Sequence, residues 1–105
     1  MTSLFDGVSS TSENNALISS IEGFDMILII ASHIGTVDVL STNYYTSSLL
    51  LPSILISAGY STKSLYLCGG DNDASVQLHF INGTTFEILN TSGGLAITNI
   101  YGINY

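Results

Sequence analysis

The chain has 105 residues, of which 46% are hydrophobic and 9% charged, and its eight acidic residues against one cation, Lys63, leave a net charge of −7. A single cation excludes electrostatic capture of a nucleic-acid backbone or of an anionic membrane surface. A single cysteine excludes an internal disulfide framework, and no apolar run approaches the ~20 residues of a membrane-spanning helix.

Hydrophobic alternation with a period of two, not 3.6, marks most readable stretches. It predicts strands over residues 2–7, 16–21, 24–32, 36–41, 48–57, 63–68, 74–81, 84–90 and 94–102. Within 63–68, Leu65 and Leu67 share one face, opposite Ser64 and Tyr66. Within 74–81, Val76, Leu78 and Phe80 oppose Gln77 and His79, and Phe86 with Ile88 repeats the pattern. Half-buried strands read this way. Asn82-Gly83 between two such runs predicts a hairpin whose central residues take positive φ. Ser57 to Thr62, Cys68 to Asp73 and Asn90 to Gly94 read as further turns. A helical period over Tyr44 to Leu51 is weakened by Pro52.

Short strands at this spacing predict an all-β fold, a single antiparallel β-sandwich of jelly-roll-like type over residues 1–105. Two of the strands, Phe24 to Ala31 and Leu49 to Ile56, are apolar on both faces. One face of an antiparallel strand ordinarily meets water. A neighbouring subunit is the simplest cover for the second face, with a long loop as the alternative. The expected interface residues are Met26, Leu28, Ile30, Leu50, Ile54, Ile56 and Tyr101.

Candidate chemistry is sparse. His33 and His79 lack a nucleophile elbow, and His79 falls on a polar strand face. Asp71-Asn72-Asp73 reads first as turn chemistry, with an oxygen-ligated cation or a glycosidase pair as rivals. No cofactor and no metal are expected. Asp25, in an apolar strand, is expected to face water or to accept hydrogen bonds from backbone N–H groups. Cys68 reads as a small buried hydrophobe. Sugar recognition combines aromatic faces with hydroxyl and amide partners. That points to Tyr44, Tyr45, Tyr60, Asp71, Asn72 and Asp73 as ligand-binding residues on loops.

Three segments carry a resemblance. Leu4-Phe5-Asp6-Gly7 opens the chain, Leu17 to Ile29 follows, and Ile97-Thr98-Asn99-Ile100-Tyr101-Gly102-Ile103-Asn104 closes it. In this order they resemble the C-terminal tip domains of tailed-bacteriophage fibres and tailspikes. Phe24 stands where Tyr is common in that family, and Asn104 where Lys is frequent. The resemblance implies a small β-sandwich that forms homotrimers at a fibre's distal end, joined to the rest of the fibre. It implies two roles, holding three chains in register and touching a host surface receptor, often a glycan. Members without an attached depolymerase are binding modules, not enzymes. The expected location is the virion, after synthesis without a signal peptide. A purely structural trimerisation or decoration module is the alternative, and a small polysaccharide hydrolase the second.

Overall fold

The computed structural model describes residues 1–10, 14–33, 45–60, 63–68 and 74–105. Among these residues eight strands form, β1 (Thr2–Ser9), β2 (Asn14–Ala16), β3 (Met26–His33), β4 (Tyr45–Leu50), β5 (Leu65–Cys68), β6 (Ser75–Asn82), β7 (Thr85–Ser92) and β8 (Leu95–Ile103), with one short α-helix, α1 (Pro52–Ala58). They make two four-stranded antiparallel sheets, in the orders β1-β8-β3-β4 and β2-β7-β6-β5. The all-β expectation holds.

Each sheet buries one face in a shared hydrophobic cluster. The first contributes Leu4, Ile27, Ile29, Ala31, Leu50, Leu95, Ile97 and Ile100, the second Leu67, Val76, Leu78, Phe80, Phe86 and Ile88. Phe86 is the aromatic hub, edge-on to Phe5 at 5.1 Å and tilted against Phe80 at 6.1 Å. Burial of a Phe, Leu or Ile side chain stabilises by roughly 1.5–3 kcal/mol each, so this cluster is the main favourable term.

The crossings between sheets differ from the expected strands. Residues 16–21 do not continue as a strand. Leu17 N–H donates to Thr84 O (2.8 Å) in one sheet, and Ile18 N–H to Leu4 O (2.9 Å) in the other. The chain therefore steps across here. Ser20 then caps a 3-10 turn over Ile21–Gly23 by accepting from Glu22 N–H at 3.1 Å.

The expected strand over 48–57 is replaced by β4 and then α1. Pro52 is the reason. It has no N–H to give a ladder, but its fixed φ suits the first turn of a helix, and that is where it sits. Pro52 and Leu55, three residues apart, form the buried side of α1. The helix ends at Gly59, whose φ of 86° suits a residue without Cβ. The expected strand over 36–41 lies outside the described residues.

The β6–β7 hairpin forms as expected, pairing Asn82 with Thr85. Its turn differs from the Asn-Gly reading, because Gly83 and Thr84 are the central pair and Gly83 is not at positive φ. Asn82 instead accepts through Oδ1 from Thr84 N–H (2.9 Å) and Thr84 Oγ1 (3.0 Å). Positive φ occurs at Gly93 (70°) and Gly94 (77°), the corner that carries the chain from β7 in one sheet to β8 in the other.

Candidate functional site

The two-faced apolar strand at 24–32 becomes β3, with neighbours β8 and β4. Its inward residues Ile27, Ile29 and Ala31 are fully buried. Its other face carries Met26, Leu28 and Ile30, all half-buried. Cross-strand pairing decides what surrounds them. Leu28 lies between Tyr101 of β8 and Leu49 of β4, Met26 opposes Ile103, and Ile30 lies between Asn99 and Ser47. Leu49 is 60% exposed and Leu51 44%.

The result is an outer sheet face with an apolar centre of Met26, Leu28, Leu49, Tyr101 and Ile103. Its margins are polar, with Ser3 opposite Tyr101, Asp6 opposite Asn99, and Ser47. No carboxylate lies among the central residues. Ile54 and Ile56 on α1 are each 51% exposed.

Leu50 requires a correction. It pairs with Ile27 on the inward side and belongs to the core, so it is not available to a partner. Ile54 and Ile56 are exposed, but on a helix, not on a strand. Leu49 and Ile103 escaped the sequence reading. The signal for Leu49 was the parity of its strand, which was obscured by reading 48–57 as continuous.

The three segments that carry the resemblance converge in one place. β1 pairs with β8, Phe5 opposite Ile100 and Asp6 opposite Asn99. Phe24 covers the buried Gly102, where a Cβ would lie 2.5 Å from Phe24 Cγ. Asp25 N–H donates to Ile103 O and to Asn104 Oδ1, both at 3.0 Å. Asp25 Oδ2 accepts from Tyr105 N–H at 2.8 Å. The structural role expected of Asp25 is therefore met, with the β8 end as its partner.

Of the expected ligand-binding residues, Tyr45 and Tyr60 are described, and they lie at opposite ends of the sheets. Tyr60 is half-buried and packs against the core, and its hydroxyl donates to Glu22 Oε2. Burial first, and then the adjacent Glu22 carboxylate, push its phenol up to about 12. This contact joins the segment after α1 to the 3-10 turn, which also receives the β6–β7 hairpin through Ile21 N–H to Gly83 O (2.8 Å). Tyr45 begins β4 opposite Ser32, at the other end of the sheets. Tyr44, Asp71, Asn72 and Asp73 lie outside the described residues.

The second sheet's outer face carries Gln77, His79, Glu87 and Asn90, with the exposed Tyr66 and Leu89 beside them. His79 Nε2 and Glu87 Oε1 are 2.8 Å apart across β6 and β7, the hydrogen-bonded role expected of that histidine. Cys68 is exposed, which corrects its expected burial. Strand parity places it on the side of Tyr66, and period two outweighs the thiol's small-hydrophobe character. Among the described residues, no group of three or more His, Cys, Asp or Glu side chains is placed to hold a metal ion. No helix among them is long and apolar enough to cross a membrane. Comparison with known protein families, curated proteins and solved structures finds no match to this chain.

Proposed function

We propose that this chain is the distal domain of a tailed-bacteriophage fibre or tailspike, a virion component that trimerises and binds a bacterial surface receptor, a glycan, without turnover. The observation that carries this reading is the apolar outer face of the β1-β8-β3-β4 sheet, with Met26, Leu28, Leu49, Tyr101 and Ile103 at its centre. A sheet face of this kind ordinarily packs against something. A second copy is its proposed cover, and although copies of a chain with a net charge of −7 repel wherever their carboxylates meet, this face has no carboxylate at its centre. The uncharged centre is where that repulsion is weakest.

A threefold ring uses two different patches of each chain. The sheet face supplies one, and Ile54 with Ile56 on α1 supplies the other. The two sheets sharing one core favour a β-sandwich. The jelly-roll-like reading is supported by the nested pairing of first with last strand, β1–β8, and of second with second-last, β2–β7, in opposite sheets. Three copies multiply apparent affinity by ~10²–10⁴ where geometry allows simultaneous engagement.

Sedimentation equilibrium tests the assembly. The expected result is a trimer at micromolar concentration that strengthens with salt as the like charges are screened. Leu49→Glu places a carboxylate at an exposed position in the face, and its expected product is a folded monomer. A wild-type monomer, or a Leu49→Glu trimer, refutes the interface. Binding of labelled protein to bacterial cells tests the receptor role, and its absence from every strain tried favours the structural module.

A further inference from the structure

The outer face of the β2-β7-β6-β5 sheet has a composition unlike that of the other sheet. Of the aromatic side chains described, only Tyr66, at 61%, and Tyr105, at 89%, are exposed. Tyr66 lies within β5, on a strand whose alternate residues Leu65 and Leu67 face the core side. Directly across from Tyr66 is Gln77 of β6. Gln77 Nε2 donates to Ser64 Oγ at 3.0 Å, which orients the amide beside the ring. The second N–H and the carbonyl oxygen of that amide remain for a ligand. Asn90 of β7 continues the row beyond Gln77, and the His79–Glu87 pair forms the next row. Two strand spacings separate Tyr66 from Asn90, ~10 Å across the sheet.

We infer that this face, centred on Tyr66 and Gln77, binds neutral saccharides. The apolar C–H face of a sugar ring stacks on an exposed tyrosine, and its hydroxyls pair with amide, hydroxyl and carboxylate groups at the ring's edge. Tyr66, Gln77 and Asn90 in one row, with Ser64 hydrogen-bonded to Gln77 beside it, offer that combination on the frame of a sheet. Charge selects the class of sugar. The chain holds one cation against eight acids, and His79 is already paired with Glu87, so a polyanionic glycan is repelled. The inference deepens the receptor-binding reading and rests on it. It moves the contact from the loops to a sheet face opposite the proposed trimer interface. In an assembly held through the other sheet, three copies of the Tyr66 face point outward.

The test uses an array of neutral hexose and N-acetylhexosamine oligosaccharides, with uronic-acid oligosaccharides as charged controls. The wild-type chain is expected to bind at least one neutral member and none of the uronates. Tyr66→Ala and Gln77→Ala are each expected to weaken that binding by about tenfold, about 1.4 kcal/mol, with sedimentation unchanged. A fluorophore on Cys68, two residues along the same face, is expected to change emission when the same oligosaccharide is added. Unchanged binding by Tyr66→Ala, or preference for uronates, overturns the inference. So does a wild-type chain that binds no neutral member. If it still binds bacterial cells, only the Tyr66 platform falls. If it binds neither cells nor array, the receptor reading falls as well.

Discussion

Gly102→Ala tests the junction where the end of β8 meets Phe24 and Asp25. The added Cβ would lie 2.5 Å from Cγ and 2.6 Å from Cδ2 of Phe24, and within contact of Cδ1. Apolar carbons settle at ~3.5–4.0 Å, so the ring has to retreat by about 1 Å. Phe24 is packed against the core, and the next residue, Asp25, is tied to Ile103 and Asn104 by its N–H and to Tyr105 by its carboxylate. The ring therefore has little room to move without stretching those bonds. Overpacking of this kind costs ~1–3 kcal/mol, and about 2 kcal/mol is expected here. With a urea slope of ~1–3 kcal/mol/M, the midpoint falls by about 1 M. Phe24→Ala alone removes a half-buried ring and is also destabilising. In the double variant the methyl meets open space, so the two costs do not add, and a coupling of about 1–2 kcal/mol is expected. Urea denaturation of the four proteins at one fixed chain concentration measures it. A Gly102→Ala midpoint equal to wild type, or strict additivity, refutes the steric account.

Two further outcomes follow from the sites. Tyr60→Phe removes the hydroxyl that donates to Glu22 and is expected to cost about 1 kcal/mol at neutral pH. The folded-state phenol lies above its ordinary value, at about 12. Its contribution is therefore fully present below pH 10 and is lost as pH rises toward 12, so the gap between the variant and wild type closes over that window. A gap that is constant from pH 8 to pH 12 contradicts this. Cys68 is exposed and is the chain's single cysteine, so a disulfide reagent is expected to titrate one thiol per chain in the folded protein as completely as in urea. A thiol that reacts only after unfolding shows Cys68 to be covered in solution.

Much of the fold is legible in local pattern. Val76, Leu78 and Phe80 alternate with Gln77 and His79, and they are inward as read. Parity also contained the position of Cys68, where a general preference of thiols for burial misled. Pro52 shows a different kind of limit. The residues around it are as apolar as a buried strand, and their period over so short a run does not separate helix from strand. Its missing N–H and fixed φ carried the boundary, and they read correctly only as the start of a helix. Nearness in composition is not nearness in space, as two of the ligand-binding candidates show. Tyr60 and Tyr45 both sit in polar, turn-rich sequence, yet they lie at opposite ends of the sheets.

By itself the amino-acid order determined the strand-rich character of the chain, the inward face of most strands and the hairpin at Asn82. These follow from side-chain period and turn chemistry, which act over a few residues. Only the tertiary structure decided that β1 lies beside β8, that Phe24 rests on Gly102, and that Leu28 has Leu49 and Tyr101 for neighbours. Those contacts join residues dozens of positions apart. They form where two sheets find the register that buries the most apolar surface, and no local signal encodes that choice.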